Sequence, residues 1–390
     1  MCEHRGVKYL VLVPDGCADE PLAELDGRTP LGAAAMPNLA GLAATGEVGL
    51  ATVIPPGLPP GSDVGNLAIL GFDPAEYHTG RAPIEAAAMG VDLGPGEVAY
   101  RANLVTIGDD QTMVDFAAGH PSDAQSHPIL EALDAALGGG RDGIRFHPGV
   151  EYRHLCVVPT ALADAECVPP HDLTGQRAVW PSGPSAPKLR SLMEASEPIV
   201  REVAATVGST ATQVWLWGQG TRPSLPRFAD RYGRTGRLSS AVDLVRGLGV
   251  LLDLEVVDVP GATAGFDNDY GAQRDACIES LRDRDVFVLH VEATDEAGHQ
   301  GNIAEKVTSL ERWDAEIIGP LVAALDGEPY RVLLLPDHAT PCASKTHTSD
   351  PVPYLLFDST VPGSGGTYTE AGVADCTPVP AHELMGRLLA

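Results

Sequence analysis

VFVLHVEATDEAGH, residues 286–299, holds a short apolar run that stops at acidic residues. Its first part, Val286–Val291, lacks the every-second-residue alternation of a half-exposed strand and fits a strand covered on both faces. Tyr9–Val13, Val214–Trp217, Leu254–Val257 and Val332–Leu335 read the same way. Between some of these runs, Thr235–Leu252 and Ala304–Leu325 carry apolar residues at helical spacing. Strands alternating with helices predict an α/β fold, a mostly parallel sheet sandwiched by helices.

Residues 84–205 break that pattern. Gly94-Pro95-Gly96, Gly138–Gly140 and Pro181–Pro187 interrupt shorter strand-like runs (Glu97–Ile107, Leu155–Val158) and a helical run near 127–137. This predicts a smaller α+β domain, 84–205, inserted into a discontinuous main domain made of 1–83 and 206–390.

With 390 residues, 44% of them hydrophobic, the chain has ample material for one large domain or two. Its 26 Lys+Arg against 53 Asp+Glu leave a net charge of −27. Such a charge argues against nucleic acid or an anionic membrane as partner, because phosphate backbones need a basic face. A small phosphorylated substrate is still open, since local cations override the global field. No apolar stretch reaches the roughly 18 residues of a membrane span, and Tyr9–Val13 is too short for a signal peptide. Cys2, Cys17, Cys156, Cys167, Cys277, Cys342 and Cys376 form no C-x-x-C pair, which suits reduced thiols in the cytoplasm.

Three strand ends share one feature. Tyr9–Val13 runs into Asp15, Val286–Val291 into Glu292-Ala293-Thr294-Asp295, and Val332–Leu335 into Pro336-Asp337-His338. Ligands of open parallel sheets sit beyond the carboxyl ends of the strands, so the three acids can converge. One aspartate after a strand is ordinarily a turn or cap residue; three of them with histidines point to a shared centre. Asp295 and His299 are four apart, on one face of a helical turn. Asp337 and His338 are adjacent at a strand end, where successive side chains are expected to diverge. His347 follows nine residues later. Carboxylates with imidazoles and no thiolate suit Mn²⁺, Zn²⁺ or a related divalent ion.

Pro59-Pro60-Gly61-Ser62 ends an extended segment, and Ser62 is expected as the N-cap of a helix closed by Gly71. At that position a serine is either a plain cap or a nucleophile. A helix N-terminus favours an alkoxide and then a phosphate, and a divalent ion on Oγ would lower its pKa. Arg81, Arg101 and Arg153 stand in turn- or aromatic-rich surroundings of an acidic chain, where arginine suits phosphate or carboxylate. His120 and His171 lie in loops, with either a structural or a binding role.

Nine motifs, in order along nearly the whole chain, carry a resemblance. They are VPDG (13–16), GRTPLGAAAMPNLAGLA (27–43), PPGSDVGNLAILGFDP (59–74), TGRAPIEAAAMG (79–90), YRANLVT (100–106), WLWGQG (215–220), DEAGH (295–299), LPDH (335–338) and THTSDPVP (346–353). The chain resembles the archaeal-type cofactor-independent, that is 2,3-bisphosphoglycerate-independent, phosphoglycerate mutases of the alkaline phosphatase superfamily. The resemblance implies an alkaline-phosphatase-like domain interrupted by a smaller substrate-clamping one. It implies metal-dependent interconversion of 3-phosphoglycerate and 2-phosphoglycerate in glycolysis and gluconeogenesis, through a phosphoserine on Ser62.

By the same resemblance, Asp295, His299 and His347 would hold one ion, and Asp15, Ser62, Asp337 and His338 another. Manganese is the first expectation, with zinc, magnesium or cobalt as substitutes. Arg81, Arg101, Arg153 and His120 would meet substrate phosphate and carboxylate, in a cytoplasmic monomer or small homo-oligomer. Trapping glycerate requires the inserted domain to exclude water. Gly65, where the family pattern has Ala, and Thr294, where Pro is usual, depart from the motifs. They leave open a phosphotransferase or phosphatase acting on another small phosphate or phosphonate of secondary metabolism. A separate alternative is a non-catalytic metal-binding protein. The last is disfavoured because all seven ligand positions hold competent residues.

Overall fold

A computed structural model describes residues 6–390 and divides the chain into two compact units, the first being Leu225–Ala390 together with the chain up to His78 and the second Thr79–Ser224. Cys2 lies outside the described residues.

The first unit is built on an eight-stranded sheet. At its centre, β1 (Lys8–Pro14), β2 (Gly236–Ser239), β3 (Val286–Val291) and β4 (Tyr330–Leu334) run parallel in the order β2-β3-β1-β4. Glu255–Val256 extends the sheet beyond β2. On the other side, Val352–Asp358 and Glu47–Thr52 join antiparallel, and Val379–Pro380 closes the edge. Every side chain of β1 and β3 is buried, which explains their lack of alternation. Leu10, Leu12, Phe287, Leu289 and Leu334 pack with Leu39, Leu42, Trp313 and Ile317 from helices on one face. Val11, Val13, Val288 and Leu333 are equally buried on the other. Register brings the carboxyl ends level: Pro14 pairs with Val291, and the Asp15 N–H donates to the Val291 carbonyl at 2.9 Å. Residues that follow β1, β3 and β4 therefore emerge at one rim.

The second unit is an antiparallel sheet covered by helices. Glu97–Ile107 pairs with Arg153–Pro159 on one side and Gln213–Gly220 on the other; Arg145–Val150 and Met113–Asp115 complete it. Asp123–Leu137 and Ala186–Val207 bury Ile129, Leu133, Leu189, Met193 and Val200 against it.

Several expectations need correction. Val214–Trp217 is not a strand of the parallel sheet; it lies in Gln213–Gly220, antiparallel to Glu97–Ile107. A four-residue apolar run does not encode its neighbour. Thr235–Leu252 is not one helix, for β2 occupies its start and the helix runs only over Asp243–Leu251. Of Leu254–Val257, only Glu255–Val256 is strand. Ala186–Val207 is a 22-residue helix where proline suggested only a break. Pro187 sits in its first turn, where the missing N–H removes no helical bond, and Gly208 ends it at φ 71°. Ala304–Leu325 is helical apart from a π-helical stretch over Trp313–Ile318.

Cys17, Cys156, Cys277 and Cys342 are unpaired and buried, as small core residues. Among the described residues no helix is long and apolar enough to cross a membrane.

One buried histidine is expected to make the second unit acid-sensitive. His154 is 1% exposed, and its Nδ1 accepts the Gly149 N–H at 2.9 Å. Burial, reinforced by neighbouring His127, lowers its pKa from 6.5 to about 3. The unfolded chain therefore takes up this proton near 6.5, but the folded unit resists it until about 3. The stability involved is intact above pH 6.5 and falls by up to a few kcal/mol as pH drops through that window. His154→Asn, which keeps an acceptor but does not titrate there, is expected to flatten the fall. Urea unfolding of both proteins at neutral and mildly acidic pH checks this; parallel losses would contradict it.

Candidate metal centre

Asp15 leaves the end of β1, 1% exposed. Gly16 turns the chain at φ 59°, and a Cβ there would strike the Asp295 carboxylate and the Thr340 hydroxyl. Its N–H donates to Asp337 Oδ1 at 3.3 Å. After β4 the chain bends at Asp337 and His338 instead of continuing as strand. The two side chains consequently do not diverge as expected. Both are fully buried, with His338 Nε2 3.5 Å from Asp15 Oδ1 and 3.7 Å from Asp337 Oδ2.

Ser62 opens helix α1 (Ser62–Ile69), with Gly61 as its N-cap. The expected cap role is thus corrected: the Ser62 hydroxyl caps nothing, and its Oγ lies 3.2 Å from His338 Nε2. Asn66, one turn on, locks the helix to the rim. Its Nδ2 donates to the Ser62 carbonyl at 3.0 Å and to Asp337 Oδ2 at 2.7 Å. Gly65 lets α1 approach this closely, because a Cβ there would overlap the Asp337 carbonyl oxygen. The alanine of the family pattern does not fit this packing. Gly65→Ala is expected to shift Ser62 away from His338 and cost about 100-fold in kcat/KM. Steady-state kinetics with a melting curve checks this; unchanged kinetics would show that α1 tolerates the shift.

Helix α2 (Ala293–Gln300) follows β3 and carries Asp295 and His299 on one face, His299 Nε2 to Asp295 Oδ2 being 3.2 Å. His347 Nε2 is 2.9 Å from His299 Nε2 and 3.5 Å from Asp295 Oδ1, and its ring stacks on His338 at 3.8 Å. Thr340 bridges the two halves, donating to Asp295 Oδ1 at 2.5 Å with its Oγ1 3.1 Å from His338 Nδ1. The Thr294 hydroxyl donates to the Asp15 carbonyl, a contact that proline could not make.

The electrostatics call for a cation. Burial pushes the Asp15 carboxyl well above its usual range, helped by the charges of Asp337, Asp295 and Glu292. Burial also acts on Asp295 and Asp337, but imidazoles win: His299, His347 and His338 hold Asp295 low, and His338 and His290 hold Asp337 low. Burial lowers His338 to about 4, whereas the bond to Asp295 raises His299 to about 9. Both Asp15 oxygens are buried without a hydrogen bond. Three groups hold one donor atom each within 4.8 Å of one another: Asp295/His338/His347, Asp15/His290/Asp337 and Asp15/Glu292/Asp295. Crowded carboxylates, partnerless oxygens and imidazole nitrogens at one rim fit divalent cations.

All seven residues expected as ligands meet at this rim. His290 and Glu292 were missed; His290 was visible as the one titratable residue inside an apolar strand, which apolar patterning passes over.

Arg81, Arg101, Arg153 and His120 belong to the second unit. Trp217 lies beneath two of them, with Arg101 at 4.6 Å and Arg81 at 5.8 Å from its ring centre. Glu85 pairs with Arg101 at 2.9 Å and with Arg81 at 3.3 Å. Burial lowers the Arg101 pKa to about 10, so it remains a cation at neutral pH. His171 packs against Trp217 and Phe116, Phe116 against Tyr152, and Tyr152 carries both Arg153 and His120. One aromatic row thus links all four expected substrate residues and includes His171.

A family model described as 2,3-bisphosphoglycerate-independent phosphoglycerate mutase matches residues 43–205. A Methanothrix thermoacetophila protein of that name is 45% identical over 91% of this chain and 92% of its own. Its namesake from Methanosarcina acetivorans is 41% identical over 98% of this chain and 100% of its own. A solved cofactor-independent phosphoglycerate mutase from Thermoplasma acidophilum superposes with a TM-score of 0.66 at 25% identity, covering 98% of this chain and 99% of that one. A Pyrococcus horikoshii structure reaches 0.80 at the same identity, covering 98% and 96%. With motifs from end to end, a sheet rim that gathers acids and histidines around a serine, and relatives matched over almost their full length, the chain belongs to the 2,3-bisphosphoglycerate-independent phosphoglycerate mutase family.

Proposed function

We propose that Ser62 is the nucleophile with which this chain interconverts 3-phosphoglycerate and 2-phosphoglycerate without 2,3-bisphosphoglycerate. The observation that carries the reading is the Ser62 hydroxyl, free of any capping role and 3.2 Å from buried His338 at the acidic rim. Ser62 Oγ attacks the phosphorus of 3-phosphoglycerate. An Oγ–P bond forms, the bond from phosphorus to O3 breaks, and the serine proton ends on O3 of the released glycerate. The 2-hydroxyl of the same glycerate then attacks phosphoserine: an O2–P bond forms, the Oγ–P bond breaks, and the hydroxyl proton returns to Ser62 Oγ. Asn66 and Gly61 hold Ser62 at the start of α1, where the helix N-terminus favours the phosphoryl group's negative charge.

Asp295, His299 and His347 would hold one divalent cation, and Asp15, Ser62, Asp337 and His338 a second, manganese foremost. Such ions supply Lewis acidity that lowers the serine pKa and offsets phosphoryl charge. Arg81, Arg101, Arg153 and His120 bind the substrate's anionic groups, with Glu85 fixing the first two arginines. The inserted unit serves as the substrate clamp.

Purified protein given Mn²⁺ and 3-phosphoglycerate, with 2-phosphoglycerate and free phosphate both assayed, tests the reading. Isomer without equivalent phosphate supports it. Phosphate alone would make the chain a phosphatase, and neither product would redirect it to another phosphate ester or phosphonate.

A further inference from the structure

His290 belongs to no role described so far. It is the penultimate residue of β3, buried, with a ring nitrogen beside the rim carboxylates. Its Nε2 is 3.2 Å from Asp15 Oδ2 and 3.8 Å from Asp337 Oδ2. Yet Nε2 makes no hydrogen bond, nor does either Asp15 oxygen. Three buried polar atoms that meet only one another are costly, and a ring nitrogen beside two carboxylates is a set that one cation would satisfy together. The ring is held in place. Its Nδ1 lies 3.2 Å from Ser240 Oγ, which also accepts the Val242 N–H at 3.0 Å. Its carbonyl accepts Gln273 Nε2, and Asn268 in turn holds the Gln273 side chain. Orientation of an imidazole through its other nitrogen is what metal-ligating histidines require.

We infer that His290 Nε2 is a ligand of the divalent cation bound by Asp15 and Asp337, and that Ser240 is the positioning residue that orients it. This rests on the divalent-cation reading above. It adds a second imidazole nitrogen beside His338, biasing that site further toward ions that accept imidazole, such as Mn²⁺ or Zn²⁺, over Ca²⁺ or Mg²⁺.

The direct test is the wild-type protein crystallised with Mn²⁺, with the ions located by anomalous scattering. An ion about 2.2 Å from His290 Nε2 is expected; an ion at the Asp15 carboxylate but beyond about 3 Å from that nitrogen would overturn the inference. Calorimetric titration of metal-free protein with Mn²⁺ adds the variants. His290→Asn, too short to reach, is expected to lose at least 100-fold in affinity for one ion while the Asp295 ion binds normally. Ser240→Ala is expected to lose about 10-fold at the same ion. Equal affinities in wild type and His290→Asn would overturn the inference and leave the metal-dependent reading intact. Absence of any Mn²⁺ binding to the wild type would overturn both.

Discussion

Ser62→Ala is expected to reduce isomerisation by about 10⁴-fold or more, because the step that forms the Oγ–P bond has no substitute nucleophile. Such a loss equals roughly 5 kcal/mol of transition-state stabilisation. The fold should hardly notice. The hydroxyl caps no helix N–H, and Asn66 binds the Ser62 carbonyl and Asp337, both of which the variant retains. Melting is therefore expected within about 0.5 kcal/mol of wild type. A coupled assay for 2-phosphoglycerate gives the rate, and a melting curve gives the stability. A variant that keeps even a tenth of its activity would remove Ser62 from the chemistry; one that unfolds would show a structural part that the hydrogen bonds do not reveal.

Asp15→Asn should separate function from stability in opposite directions. In the metal-free protein Asp15 is buried and faces Asp337, Asp295 and Glu292, so its ionised form is penalised and its pKa lies well above the usual carboxylate value. The sign follows from that direction. A raised folded pKa means that ionising Asp15 near neutral pH weakens the apo fold, so an uncharged isostere relieves the strain. Metal-free Asp15→Asn is expected to exceed metal-free wild type by roughly 1–3 kcal/mol. Its activity should fall about 1,000-fold or more, and Mn²⁺ should raise its melting temperature much less than it raises that of the wild type. Melts with chelator and with Mn²⁺ decide the matter. A variant less stable than wild type in chelator would mean that Asp15 is already satisfied without a cation.

Much of the site was legible because the strands that carry it are buried on both faces and stop at polar residues. Tyr9–Val13, Val286–Val291 and Val332–Leu335 declare both their class and their ends, and the acids beyond them follow from parallel topology. The i,i+4 pair Asp295 and His299 was readable from helical geometry alone. Other strands were not. Gly236–Ser239 is four residues with little apolar signal, and Gln213–Gly220 pairs with a strand more than a hundred residues away. Helix Ala186–Val207 was hidden because proline in a first turn looks, in sequence, like proline that ends a helix. His290 escaped because its neighbours are apolar. The convergence of Asp337 and His338 depends on a bend after β4 that no periodicity encodes.

A divalent cation at this rim is expected to make Ser62 the phosphate carrier. Rapid quenching of the Mn²⁺-loaded protein with 3-phosphoglycerate, followed by peptide mass spectrometry, tests it most directly. A phosphoryl group on Ser62 that vanishes when the metal is chelated is the expected result. Phosphate on another residue, or unimpaired turnover in chelator, would contradict it.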